Sequence, residues 1–194
     1  MKANSNPFRS SSVEQIRYAL PPAQLEALID RALTQTCSGL LGPKGTGKTT
    51  LLEDLESRIR QRGLNTYWIR LNLESTRPDR VGAIAQLKHL DAGQVCLFDG
   101  AEVLSWWQWR YVCRTIQKNG STLIATLHRK RGVPVLLHTQ PNWPLMNQFV
   151  QQLSGIHYSE ALGRYAEHAF EASGGNMREV FRVCYLALAN ENSK

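Results

Sequence analysis

A chain of 194 residues with 42% hydrophobic content is long enough to bury a real core, and has the length of one α/β domain with a small appendage. No run reaches the roughly 20 apolar residues that cross a bilayer, the N-terminal MKANSNPFRSSS lacks the apolar stretch of a secretion signal, and Cys37, Cys96, Cys113 and Cys184 are widely spaced without a C-x-x-C pair. A cytoplasmic protein with reduced core thiols and no membrane partner is expected, while the net charge of +7, spread over most of the helical segments, is compatible with a polyanionic ligand such as a nucleotide or a nucleic acid.

Residues 1–12 read as loosely ordered, and Pro21-Pro22 then open a helix carrying Leu25, Leu28, Ile29 and Leu33. A short strand over 37–41 leads into a glycine-rich segment and a helix over about 47–62 that Gly63 stops. A second strand is predicted over 66–71, a helix over 79–89, and a third strand over 94–98 (QVCLF) that ends on Asp99. Ser105 and Gln108 have the spacing of a capping box for a helix over 106–118, which Asn119-Gly120 ends. Strands over 122–127 and 135–139 follow, separated by RKRGVP; the remainder is helical, from Pro144 towards Leu153, over 161–172, and from Asn176 and Glu179 onward. This alternation of short apolar runs with helical patterns, without repeats, is the signature of a parallel sheet covered by helices.

Gly42-Pro43-Lys44-Gly45-Thr46-Gly47-Lys48-Thr49 fits G-x-x-x-x-G-K-[ST] at every fixed position and lies between a predicted strand and a predicted helix, as the phosphate-binding loop requires. Glycines let the backbone turn so that successive N–H groups, continuing through Thr50, converge on phosphate oxygens at a helix N-terminus. Lys48 supplies charge for the β and γ phosphates, and the Thr49 hydroxyl suits magnesium, which keeps most of its waters. Asp99, closing an apolar strand, stands where a carboxylate would hold the magnesium shell; the alternative is a turn cap before Gly100.

Three segments, GPKGTGKTT at 42–50, VCLFDGAE at 95–102 and SGGNMREV at 173–180, give the chain a resemblance to phosphate-loop ATPases of the additional-strand, catalytic-glutamate class, and within it to AAA+ and STAND proteins. The resemblance implies a three-layer α/β/α nucleotide-binding core over 1–140 with a five-stranded parallel sheet in the order 5-1-4-3-2, and a small C-terminal helical lid over 141–194. It implies ATP and Mg2+ as ligands, a preference that the absence of an N-K-x-D guanine signature supports. It also implies a phosphate-sensing residue at Thr126, with His128 as second choice, and an arginine at Arg178 that reaches from the lid to the phosphates. The other reading of Arg178 is a solvated charge at a capped helix start.

Two departures from the family pattern stand out. The glutamate that usually follows the aspartate is replaced by Gly100, leaving Glu102 as the candidate general base or else a surface acid. RKRGVP replaces the helix that carries an arginine finger, so Arg129 or Arg131 would have to serve, or the loop is simply solvated. Upstream, Phe8 would stack on adenine or tuck the N-terminal segment against the domain.

In the helix over 106–118, Trp106, Trp109 and Cys113 fall largely on one face as core, whereas Trp107 with Arg110, Arg114 and Lys118 points elsewhere, towards a protein or a single-stranded nucleic acid. The leading expectation is therefore a small AAA+-like ATPase, Mg-dependent and able to oligomerise, that drives or switches a protein partner. A small-molecule or nucleotide kinase on the same loop and a nucleic-acid-associated ATPase are the alternatives.

Overall fold

The computed structural model describes residues 6–9 and 20–191. These fall into two compact units, one made of residues 20–42 with Lys48–Thr139, the other of residues 6–9, Pro43–Gly47 and 140–191. Apart from 6–9, the expectation for residues 1–12 lies outside the described residues.

In the first unit the elements follow as α1 (Pro22–Leu33), β1 (Cys37–Leu41), α2 (Lys48–Gln61), β2 (Thr66–Arg70), α3 (Arg77–Gln86), β3 (Val95–Asp99), α4 (Trp106–Asn119), β4 (Thr122–Leu127) and β5 (Val135–His138). The strands form one five-stranded sheet in the order β2-β3-β4-β1-β5, with every neighbouring pair parallel. Read from the other edge this is the expected 5-1-4-3-2.

The two-residue period of the strands sorts their side chains onto two faces. Cys96, Phe98, Leu123 and Ala125 pack with Ile84, Leu87, Trp109, Val112 and Ile116. Val95, Leu97, Ile124 and Leu40 pack with Ile29, Leu51, Leu52, Leu55 and Ile59 from α1 and α2. Helices thus cover both faces, which is why the central strands read as uninterrupted apolar runs. Each fully buried leucine or isoleucine contributes about 1.5–3 kcal/mol relative to exposure.

Helix boundaries follow their caps. At α4, Ser105 accepts from the Gln108 N–H while the Gln108 side chain accepts from the Ser105 N–H, and Gly120 ends the helix at φ 68°. Helix α3 begins two residues earlier than the sequence pattern indicates, because Thr76 and Asp79 form a capping box with the shorter acid at its third position. Hydrogen bonds from Thr76 hold the Asp79 carboxyl below its ordinary range. Of the four free cysteines three are buried and Cys113 is half-buried. Burial pushes the Cys96 thiol up and the Cys184 thiol up to about 12.

The second unit holds α5 (Trp143–Ser154), α6 (Glu160–Ala172) and α7 (Met177–Glu191), packed around Met146, Phe149, Val150, Leu162, Ala166, Val180, Phe181, Cys184 and Leu188. Asn142 and Ser159 cap the first two of these helices by accepting from the N–H groups of Leu145 and Leu162. At α7 the expected pairing of Asn176 with Glu179 takes another form: Asn176 Oδ1 accepts from the Arg178 N–H at 3.1 Å, and the Glu179 carboxylate accepts from Arg182 Nε at 2.9 Å. Phe8, 4% exposed, belongs to this core and lies 6.0 Å from the Phe181 ring, so its ring is held in this core rather than facing outward. Among the described residues no helix is long and apolar enough to cross a membrane.

Candidate functional site

Strand β1 runs out at Leu41 and the chain enters the loop through Gly42. The Thr139 N–H donates to the Leu41 carbonyl at 2.8 Å, which holds the chain beyond β5 so close that a Cβ at Gly42 would overlap the Thr139 side chain and carbonyl. The Gly42 position is therefore set by packing. Gly45 and Gly47 both have φ 79°, a conformation that glycine adopts without penalty. The Thr46 hydroxyl donates to the Pro43 carbonyl at 2.9 Å, while Pro43 and Lys44 are exposed.

Lys48, the first residue of α2, is only 6% exposed, and its Nζ donates to the Gly42 carbonyl at 2.8 Å. The hydrogen bond turns the ammonium back towards the end of β1, at a helix N-terminus where positive potential already gathers. Thr49 and Thr50 follow, half-buried, in the first turn of α2. Within the other unit, the Gly45 carbonyl accepts from the Met177 N–H at 3.3 Å, and a Cβ at Gly45 would overlap the Asn176 side chain.

The parallel register brings Asp99 beside Thr126, since Phe98 pairs with Ala125 one residue earlier. Neighbouring residues in register point to the same face, and the side chains meet: Thr126 Oγ1 donates to Asp99 Oδ1 at 2.7 Å and accepts from the Gly100 N–H at 3.0 Å. The other carboxylate oxygen, Oδ2, accepts from Thr49 Oγ1 at 3.0 Å. A single chain of hydrogen bonds thus links Thr49, Asp99, Thr126 and the Gly100 backbone. The Thr49 hydroxyl and Asp99 carboxylate are hard oxygen donors in contact, the chemistry that suits Mg2+. Among the described residues no group of three or more His, Cys, Asp or Glu is placed to hold a metal. The donor set is the sparse kind in which phosphates and water complete the magnesium shell.

Gly100 has φ 85°, and a Cβ there would overlap the Leu71 carbonyl oxygen. The backbone itself therefore leaves no room for a side chain directly after Asp99, which explains the glycine where the family pattern has glutamate. Glu102 sits in the 3-10 turn Ala101–Val103. Its Oε1 lies 3.6 Å from His128 Nε2, its side chain is 24% exposed, and its buried Oε2 has no hydrogen-bond partner among the described residues.

Arg131, one of two candidate finger residues, is engaged locally. Its Nη2 donates to the carbonyls of Glu102 at 3.1 Å and Leu104 at 2.8 Å, so it staples the turn that carries Glu102. Arg129 is exposed, and Arg178 is exposed in the first turn of α7. Sequence reasoning missed Thr139, the steric demand at Gly100, and the Glu102–His128 pairing. Only the last left a trace, as a histidine one residue past an apolar strand.

No protein-family model matches the chain, and no curated protein matches it. Solved structures do. A crystal structure of a DNA replication initiation factor aligns with a TM-score of 0.56 at 14% identity, covering 87% of this chain and 61% of that one. A structure of C. elegans PCH-2 aligns at 11% identity over 89% of this chain and 68% of that one, with a TM-score of 0.43. A Rhizobiales Trip13 structure aligns at 18% identity over 74% and 60%, with a TM-score of 0.38. The chain thus spans 61% of the length of the initiation factor, and at such identities the likeness is one of fold. That fold, a parallel β2-β3-β4-β1-β5 sheet followed by C-terminal helices, is AAA+-like.

Proposed function

We propose that this chain is a magnesium-dependent ATPase, and the observation that carries the reading is the hydrogen-bonded set Thr49–Asp99–Thr126 together with the buried Lys48, whose Nζ donates to the Gly42 carbonyl. In this reading the loop backbone of residues 42–50 cradles the triphosphate and Lys48 leaves the Gly42 carbonyl to charge-pair with it. Thr49 and Asp99 would hold Mg2+, which would supply positive charge beside the phosphates. Thr126 fixes the Asp99 carboxylate by donating to Oδ1.

Glu102 is assigned the base that takes a proton from the attacking water, with His128 at its other oxygen. A carboxylate oxygen without a hydrogen-bond partner among the described residues, Glu102 Oε2, supports hydrolysis over transfer to a second substrate. We further assign residues 141–194 as a lid whose position follows the nucleotide and moves a protein partner, with Arg178 as its phosphate-directed residue.

The test is a direct ATP titration with steady-state ADP release. Lys48→Ala is expected to bind ATP about 10- to 100-fold more weakly, the worth of a charged hydrogen bond, and to lose turnover, with an unchanged circular dichroism spectrum. Unaltered ATP affinity in that variant would sink the proposal.

A further inference from the structure

Helix α4 carries its tryptophans on two different faces. Trp109 is 3% exposed in the core, whereas Trp106, expected on the core face with it, is 59% and Trp107 75% exposed, joined by Tyr111 at 44%. Large aromatic side chains left in water represent unused apolar surface, and clustered ones mark a contact site more often than scattered ones do. Trp107, Tyr111, Arg114 and Lys118 recur at i, i+4, i+7 and i+11, one stripe along the helix. Trp106 and Arg110 run beside it, with the Arg110 guanidinium 5.5 Å from the Trp106 ring centre.

The charge of this face is of one sign. α4 contains Arg110, Arg114 and Lys118 and no acidic residue. The neighbouring 128–131 segment is fixed to the helix by a hydrogen bond from Trp109 Nε1 to the Arg131 carbonyl at 3.0 Å, and it adds exposed Arg129 and Lys130. Among the described residues none of these five cations forms an ion pair. Protein interfaces deplete lysine and pair their charges, whereas a polyanion takes unpaired cations directly and releases its counterions.

The tryptophans select among polyanions. Trp106 and Trp107 meet edge to face, with ring centres 4.5 Å apart and planes at 82°, so the outer ring is open to a further stacking partner. A duplex hides its base faces within the stack, while a single strand offers them. We infer that the outer face of α4, from Trp106 and Trp107 to Lys118, binds single-stranded nucleic acid, the rings stacking on bases and Arg110, Arg114, Lys118, Arg129 and Lys130 following the phosphates. The inference stands apart from the ATPase reading, because it uses none of the phosphate-site residues.

The experiment is fluorescence anisotropy of a labelled oligothymidylate against the full chain at several salt concentrations, with a duplex of the same length alongside. The wild type should bind the single strand more tightly than the duplex, with affinity falling steeply as salt rises. Trp106→Ala combined with Trp107→Ala should weaken binding by about tenfold or more, the worth of stacking on one base. Arg110→Glu with Arg114→Glu and Lys118→Glu should weaken it further and flatten the salt dependence. Arg164→Glu on exposed α6 should leave it unchanged. All substituted side chains are exposed, and an unchanged melting curve confirms folding. The inference is overturned if the wild type fails to bind at low salt, as expected if a protein partner uses this face. It is equally overturned if the duplex binds as tightly, or if neither multiple variant weakens binding.

Discussion

The ends of β1 and β3 both pass into glycine, and in both places a segment distant in the chain lies where a Cβ would be. At Gly42 the obstacle is Thr139, beyond β5; at Gly100 it is the Leu71 carbonyl, drawn in because the Leu71 N–H donates to the Asp99 carbonyl at 2.9 Å. Gly42 has an ordinary φ, whereas Gly100 is left-handed at 85°. One end is constrained by space alone, the other by space and backbone conformation together. A glycine in the motif and a glycine that breaks the motif are therefore products of the same cause, close approach of neighbouring strand ends. The nearest acid after Asp99 is Glu102, in the following turn, and it is the residue proposed as the base.

Gly100→Glu tests that comparison most severely, because it sets a glutamate directly after Asp99 against the backbone. The left-handed conformation costs a side chain about 1–2 kcal/mol, and displacing a strand-end backbone adds the cost of overpacking. The expected result is a loss of about 4 kcal/mol or more in stability, read as a large fall in thermal midpoint or as insoluble protein. A variant that folds normally and gains turnover would show that the glycine is a functional choice rather than a steric one.

Glu102→Gln asks whether this acid does the work. The amide keeps the shape and removes the base, so ADP release should fall by about 10²–10⁴-fold while ATP titration stays unchanged. Equal turnover in the variant would return Glu102 to the role of a partner for His128 and nothing more.

The sheet was legible in the sequence because its strands are buried on both faces, and CSGLL, QVCLF and TLIATL need no alternation to be read. The loop was legible because its glycines and Lys48 recur at fixed spacing for a backbone reason. The start of α3 was misplaced because Asp79 does for Thr76 what a glutamate usually does, with one methylene fewer. What stayed hidden depends on pairs distant in sequence. The obstacle facing Gly100 is a carbonyl 29 residues earlier, and Thr139 meets Gly42 only through the β1–β5 pairing. Likewise the resemblance offers Thr126 as a phosphate sensor, and only the register, which sets it against Asp99, shows its bond to that carboxylate.

Thr126→Val is the smallest of these perturbations and separates two roles for that hydroxyl. The isosteric change leaves Asp99 Oδ1 without its donor and the buried Gly100 N–H without its acceptor, for an expected loss of about 1–3 kcal/mol in stability. If Thr126 acts by aiming Asp99, magnesium dependence shifts: the concentration giving half-maximal turnover rises, and Thr126→Ser, which keeps the hydroxyl, restores it. If Thr126 instead contacts the γ-phosphate, turnover at saturating magnesium falls while the half-maximal concentration stays put. The 2.7 Å bond to Asp99 favours the first result, since a hydroxyl proton already given to a carboxylate cannot also be donated to a phosphate.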